Sequence, residues 1–106
     1  MNIAKMMQQA KQMQDKMQEM QERLGDIEVQ GTAGGGMVTV TMTCKGETRK
    51  IDIDPSLIDP SEKEVLEDLV KAALNDAKSK ADQTMADETQ KMMSDLGLPD
   101  GTQLPI

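Results

Sequence analysis

Few residues of this chain could carry covalent chemistry. The single cysteine, Cys44, is the one thiol, and a reactive thiolate needs a helix N-terminus, a histidine or a cation beside it to lower its pKa. Neither helix position nor histidine pairing is available near Cys44 in sequence, so it reads as a buried small hydrophobe at the end of a strand. The glycine-rich run "GTAGGG" at residues 31–36 invites comparison with a phosphate cradle. Such a cradle needs a strand, the loop and a helix start, with a Lys-Ser or Lys-Thr step. Here a strand follows Gly36 and no such step accompanies it, so the run is expected to be a hairpin tip. Histidine is absent, which removes the commonest metal ligand and the usual general base at neutral pH. One cysteine forms no internal disulfide and no zinc cluster. The reading is a non-enzyme without metal or cofactor.

What remains is charge. The net charge is −7 over 106 residues, which opposes polyanions on its face, but the distribution is uneven. Residues 1–24 hold Lys5, Lys11, Lys16 and Arg23 against Asp15, Glu19 and Glu22, and residues 25–51 balance, so the acidic excess lies in residues 52–106. A mildly basic front can meet phosphates while an acidic back favours solubility. No apolar run approaches the ~20 residues of a membrane span, and the N-terminus lacks the apolar core of a signal peptide. A cytoplasmic protein without a membrane partner is expected.

Those basic residues need elements to hold them. Ile3, Met6, Ala10, Met13, Met17, Met20, Leu24 and Ile27 recur at alternating spacings of three and four, a heptad seam. A first helix over residues 1–25 is expected, with Gly25 as its stop, and its stripe needs a partner surface. Methionine is unbranched and polarizable and suits either packing or an adaptable groove. The period then changes to two. "DIEVQ" is one strand, "MVTVTMTC" places Val38, Val40, Met42 and Cys44 on one face, and "TRKIDID" turns Ile51 and Ile53 inward. With the turn at Lys45, Gly46 and Glu47, residues 26–54 form a three-stranded antiparallel meander. Asp59, Pro60 and Glu62 form a helix start of the capping-box kind, opening a long helix over residues 59–97 that ends at Gly97 and Pro99, with a tail over residues 98–106. Its apolar surface is broad to about Ala77 and narrow beyond, so its distal half is expected to project. Chain length predicts one domain. The complete absence of Phe, Tyr and Trp removes the side chains that usually dominate cores, and a second subunit would supply the missing burial.

The succession of helix, meander and long helix, an α+β fold, brings a likeness into view. The opening "MMQQAKQMQDKMQEMQ", the hairpin "VQGTAGGGMVTVTM", the block "IDIDPSL" followed by "EKEVLEDLVKAALNDA", and the tail "GLPDGTQLPI" together resemble the YbaB/EbfC family of bacterial nucleoid-associated proteins, over essentially the whole chain. The resemblance implies a tweezer-like homodimer with a central sheet core and projecting helices, located in the nucleoid, that binds double-stranded DNA with little sequence specificity and influences nucleoid organisation or gene expression.

Duplex affinity comes largely from neutralising phosphates, so under this resemblance the candidate DNA contacts are Lys5, Lys11, Lys16 and Arg23 on the first helix and Lys71, Lys78 and Lys80 on the second. The distal acids Asp82, Asp87 and Glu88 depart from a phosphate clamp. Without aromatics, single strands have nothing to stack on. Met6, Met13, Met17, Met20 and Leu24 form the candidate core or dimer seam. The alternative from another class is a protein-interaction module whose Met-rich helical groove holds a partner helix.

Overall fold

A computed structural model describes residues 2–95; the expected helix end at Gly97 and the tail at 98–106 lie outside the described residues. The chain folds as α1 (Ile3–Asp26), β1 (Glu28–Ala33), β2 (Val38–Thr43), β3 (Thr48–Ile53) and α2 (Lys63–Asp95), with a glycine turn at Gly34–Gly36 and single 3-10 turns at Pro55–Leu57 and Pro60–Glu62. The strands form one antiparallel sheet in the order β1-β2-β3. Val40 stands opposite Gly31 on one side and Ile51 on the other.

Both helices have specified starts. The Asn2 side chain accepts from the backbone N–H groups of Ala4 and Lys5, satisfying two donors that an α-helix leaves open. Gly25 does not stop α1, which runs to Asp26 and closes with the Ile27 N–H donating to the Arg23 carbonyl at 3.0 Å. Ahead of α2, Asp59 caps as expected, but through the backbone N–H of Ser61 at 2.9 Å rather than through a box with Glu62. The first turn is therefore 3-10, and α2 begins at Lys63.

The glycine run divides its labour. Gly34, Gly35 and Gly36 have positive φ and make the hairpin tip, whereas Gly31 belongs to β1 and lies under α2. A Cβ there would meet the Ala73 carbonyl oxygen at 2.2 Å and the Ala77 nitrogen at 2.3 Å. Helix backbone thus rests on strand backbone. Ala73, Ala77 and Ala81 line that seat, and with Val38, Val40, Met42 and Leu57 they form the main buried cluster.

An α-helix is ~10 Å across and strands are ~4.8 Å apart, so α2 can cover two strands of three. It sits over β1 and β2. β3 is left at the rim, and Ile51, expected to point inward, is 45% exposed despite facing the same side as buried Val40. Parity was right; the cover is missing.

The distal part of α2 does not project alone. Met20 and Leu24 of α1 pack with Cys44 and Met92 in a second buried cluster, with Met17, Ile27 and Met85 against it. Arg23 reaches Glu88 at 2.5 Å, and the Thr89 hydroxyl meets the Met20 sulfur at 3.7 Å. Rising numbers on α2 match falling numbers on α1, so the helices run antiparallel. The amino-terminal half of α1 extends beyond these contacts: Ile3, Met6 and Met7 are exposed, Met13 and Met17 half-buried. Among the described residues, the heptad seam is used within the chain only at its carboxy-terminal end. No helix among the described residues is long and apolar enough to cross a membrane.

Candidate nucleic-acid interface

The seven candidate cations separate into those held by carboxylates and those left free. On α2, Lys78 pairs with Asp82 at 3.2 Å one turn away. Lys80 pairs with Asp76 at 3.1 Å and also donates to the Gln30 carbonyl at 2.9 Å. On α1, Arg23 is occupied by Glu88, and Lys16 lies 3.9 Å from Glu19 in a loose, half-exposed pair. Lys5, Lys11 and Lys71 make no ion pair among the described residues.

Lys80 has an architectural task. The outer edge of β1 presents the Gln30 carbonyl and the Thr32 N–H. Lys80 covers the first, and Asp76 accepts from the second at 3.0 Å. A side-chain pair from α2 thus satisfies the peptide groups that another strand would otherwise take. The Thr32 N–H chiefly, and Lys80 after it, hold the Asp76 carboxyl below the usual aspartate range. Asp76 has no signal of its own in the sequence beyond its spacing of four from Lys80, the distance at which helix side chains pair.

Lys5 and Lys11 lie on the part of α1 that extends beyond the contacts with α2, and Lys16 stands at its border, next to Met17, which packs against the cluster holding Met92. At 3.6 residues per turn, Lys5 and Lys16 fall within about 20° of each other, whereas Lys11 lies on the other flank of the methionine stripe. Asn2 to Gln14 contains no carboxylate. The local field at this tip is therefore positive although the chain is acidic, and pairs screened by water and salt beyond ~10 Å leave it largely independent of the distant acids. The α2 candidates are placed differently: Lys71 borders a shallow apolar groove with Leu66, Val70 and Leu74, far from the α1 tip along the helix.

Cys44 is buried, and burial pushes its thiol pKa up, with Thr84 beside it acting in the opposite sense through a hydrogen bond. Asp54 and Asp59 are held low by bonds from Ser56 and Ser61. Among the described residues no cluster of histidine, cysteine and carboxylate groups could hold a metal ion.

This architecture, two helices framing a three-stranded meander, is shared with a solved structure. The YbaB/EbfC DNA-binding family matches residues 1–96, and the chain belongs to it. The family is one of DNA-binding proteins rather than enzymes. A nucleoid-associated protein of Granulibacter bethesdensis is 54% identical over 105 residues, covering 99% of this chain and 98% of the relative. A nucleoid-associated protein of Afipia carboxidovorans is 53% identical over 94 residues, covering 89% and 90%. The crystal structure of an uncharacterized protein from Helicobacter pylori superposes with a TM-score of 0.77 at 25% identity, covering 88% of this chain and 98% of that one.

Proposed function

We propose that this protein is a nucleoid-associated, duplex-binding homodimer in which the amino-terminal halves of the two α1 helices contact phosphates with little regard to sequence. Family membership supports the ligand. The observation that carries the site is the α1 tip, where Lys5 and Lys11 are exposed and unpaired on a segment without carboxylates. Lys16 joins them readily, because a pair as long and exposed as Lys16–Glu19 contributes little. Three basic residues per chain make a weak clamp, and a dimer doubles them. Exposed Ile51, Ile58 and Val65, together with Ile3, Met6 and Met7, support association, since they leave apolar surface that a second copy would cover. Phosphate-directed lysines read no base edges, which gives sequence tolerance and suits a role in organising the nucleoid, with effects on expression following from coverage. The protein acts in the cytoplasm, at the nucleoid.

The test is fluorescence anisotropy with two unrelated duplexes over a salt series, alongside sedimentation equilibrium. Similar affinities for both duplexes, falling steeply with salt, and a mass of about twice 11.6 kDa support the proposal. Binding to one duplex alone, or none at low salt, refutes it.

The exposed Ile3, Met6 and Met7 stripe favours a second reading, an adaptable groove for a partner helix. Such binding would change little with salt, and the same series separates the two.

A further inference from the structure

The exposed polar residues of α1 change character along the helix. From Asn2 to Gln14 they are amides and lysines alone, whereas from Asp15 onward, and throughout α2, carboxylates are interspersed. Phosphate repels a carboxylate but not an amide, and an amide carries donors beside an acceptor. At 100° per residue, Gln9 lies about 40° to one side of Lys5, and Gln12 about 20° to the other. Lys16 falls between them, so Lys5, Gln9, Gln12 and Lys16 form one stripe about 60° wide. All four are exposed. The methionine seam lies about 100° round the helix, so it can pack without covering the stripe. Gln83 of α2 is tied to Asp87 at 3.0 Å. Among the described residues, the Gln9 and Gln12 amides make no hydrogen bond to another side chain.

The geometry points to this stripe as a reader of the major groove, with Gln9 and Gln12 hydrogen-bonded to adenine edges and Lys5 and Lys16 to phosphates on either side of them. This rests on the duplex-binding reading above and adds to it a modest preference for A·T over G·C pairs. The dimensions fit. The major groove is ~12 Å wide and admits an α-helix ~10 Å across. Gln9 and Gln12 are separated by a rise of ~4.5 Å, against about 3.4 Å between successive base pairs, so the two amides address neighbouring pairs. Lys5 and Lys16 stand ~16 Å apart along the axis. A straight helix touches the curved groove only over its middle; its ends stand off toward the backbone, and the flexible four-carbon stems of the lysines span that gap. The glutamine carbonyl accepts from the adenine N6 amino group while its NH2 donates to N7. On guanine both positions, N7 and O6, are acceptors, and the glutamine carbonyl meets no donor. The first carboxylate on this face is Glu19, beyond Lys16 and 3.9 Å from it, which confines the readout to the tip.

Adenine N7 is the discriminating atom. An A·T-rich duplex and the same duplex with 7-deazaadenine at every adenine have equal charge and pairing and differ in that acceptor. Fluorescence anisotropy at low salt should find the parent protein several-fold weaker on the 7-deaza duplex. Gln9→Ala/Gln12→Ala keeps helix propensity, which circular dichroism checks. It should bind both duplexes alike, with the parent's slope of log K against log salt, since no charge is removed. Lys5→Gln/Lys16→Gln should do the reverse, lowering the slope and keeping the discrimination. A parent that binds both duplexes equally, or a glutamine variant that discriminates as the parent does, would overturn the base reading and leave phosphate binding standing. Absence of binding to either duplex at low salt removes both.

Discussion

Gly31 of β1 and Ala73 of α2 are so close that a Cβ on the glycine would stand 2.2 Å from the alanine's carbonyl oxygen. The atom in the way is backbone, so no side-chain rotation relieves the clash and the helix as a whole must lift. Gly31→Ala should therefore cost about 3 kcal/mol or more, the upper end of overpacking penalties, measured by urea denaturation. Gly35→Ala at the hairpin tip has open space around it but a positive φ of 67°. It should cost about 1 kcal/mol from backbone strain alone.

The methionine seam should show a gradient of cost along α1. Met20 is buried against Leu24 and Met92, and Met20→Ala should lose about 2–5 kcal/mol. Met6 is 51% exposed, and Met6→Ala should shift the melting temperature little, as surface changes do. Equal losses at both positions, by thermal denaturation, would mean the whole seam is packed in solution.

Much of this was legible beforehand. The heptad located α1, parity located Val38, Val40 and Met42, and Asp59 with Pro60 located the capped 3-10 turn that leads into α2 at Lys63. What periodicity could not supply was contact between distant segments. Gly31 read as part of a loop because its reason for being glycine lies on α2, forty-two residues away in sequence. Ile51 read as inward because alternation assigns a face but not the width of the helix that covers it. Lys80 and Lys5 looked equivalent as lysines, and only the β1 edge distinguishes them. Charge counting treats Arg23 as one of the free cations of the basic front, yet it is held by Glu88, a residue sixty-five positions on.

Asp76, Asp54 and Asp59 all have carboxyl pKa values below the ordinary aspartate range, through bonds from Thr32 and Lys80, from Ser56 and from Ser61 respectively. A carboxyl whose folded pKa is lower than its unfolded one stabilises the fold above the unfolded value, about 3.9. That contribution is lost as pH falls from there through the folded pKa. Stability should thus decline below about pH 4, and Asp76→Asn should lower the plateau at neutral pH while making the acid decline shallower. Urea midpoints at pH 7 and at pH 3 measure both.

Cys44 should be chemically silent. Its raised pKa and burial predict slow reaction with a thiol reagent in native buffer and rapid reaction in urea. Cys44→Ala should keep its fold and duplex affinity. Cys44→Ser places a hydroxyl beside Thr84, which can serve as its partner, so its cost should fall near the low end of the ~1–3 kcal/mol for an unpaired buried hydroxyl. Loss of duplex binding by a folded Cys44→Ala variant would give the thiol a role.

The central claim is that the α1 tips carry the phosphate contacts. Lys5, Lys11 and Lys16 are replaced together by Gln, circular dichroism and sedimentation establish that the helical assembly persists, and a duplex is titrated across a salt series beside the parent. Each lysine lost from both chains removes up to two phosphate contacts, and each contact contributes roughly 0.9 to the slope of log K against log salt. The account predicts weaker binding at low salt and a slope shallower by up to about 1.8 per lysine position. A folded variant that binds as tightly as the parent with an unchanged slope would contradict it.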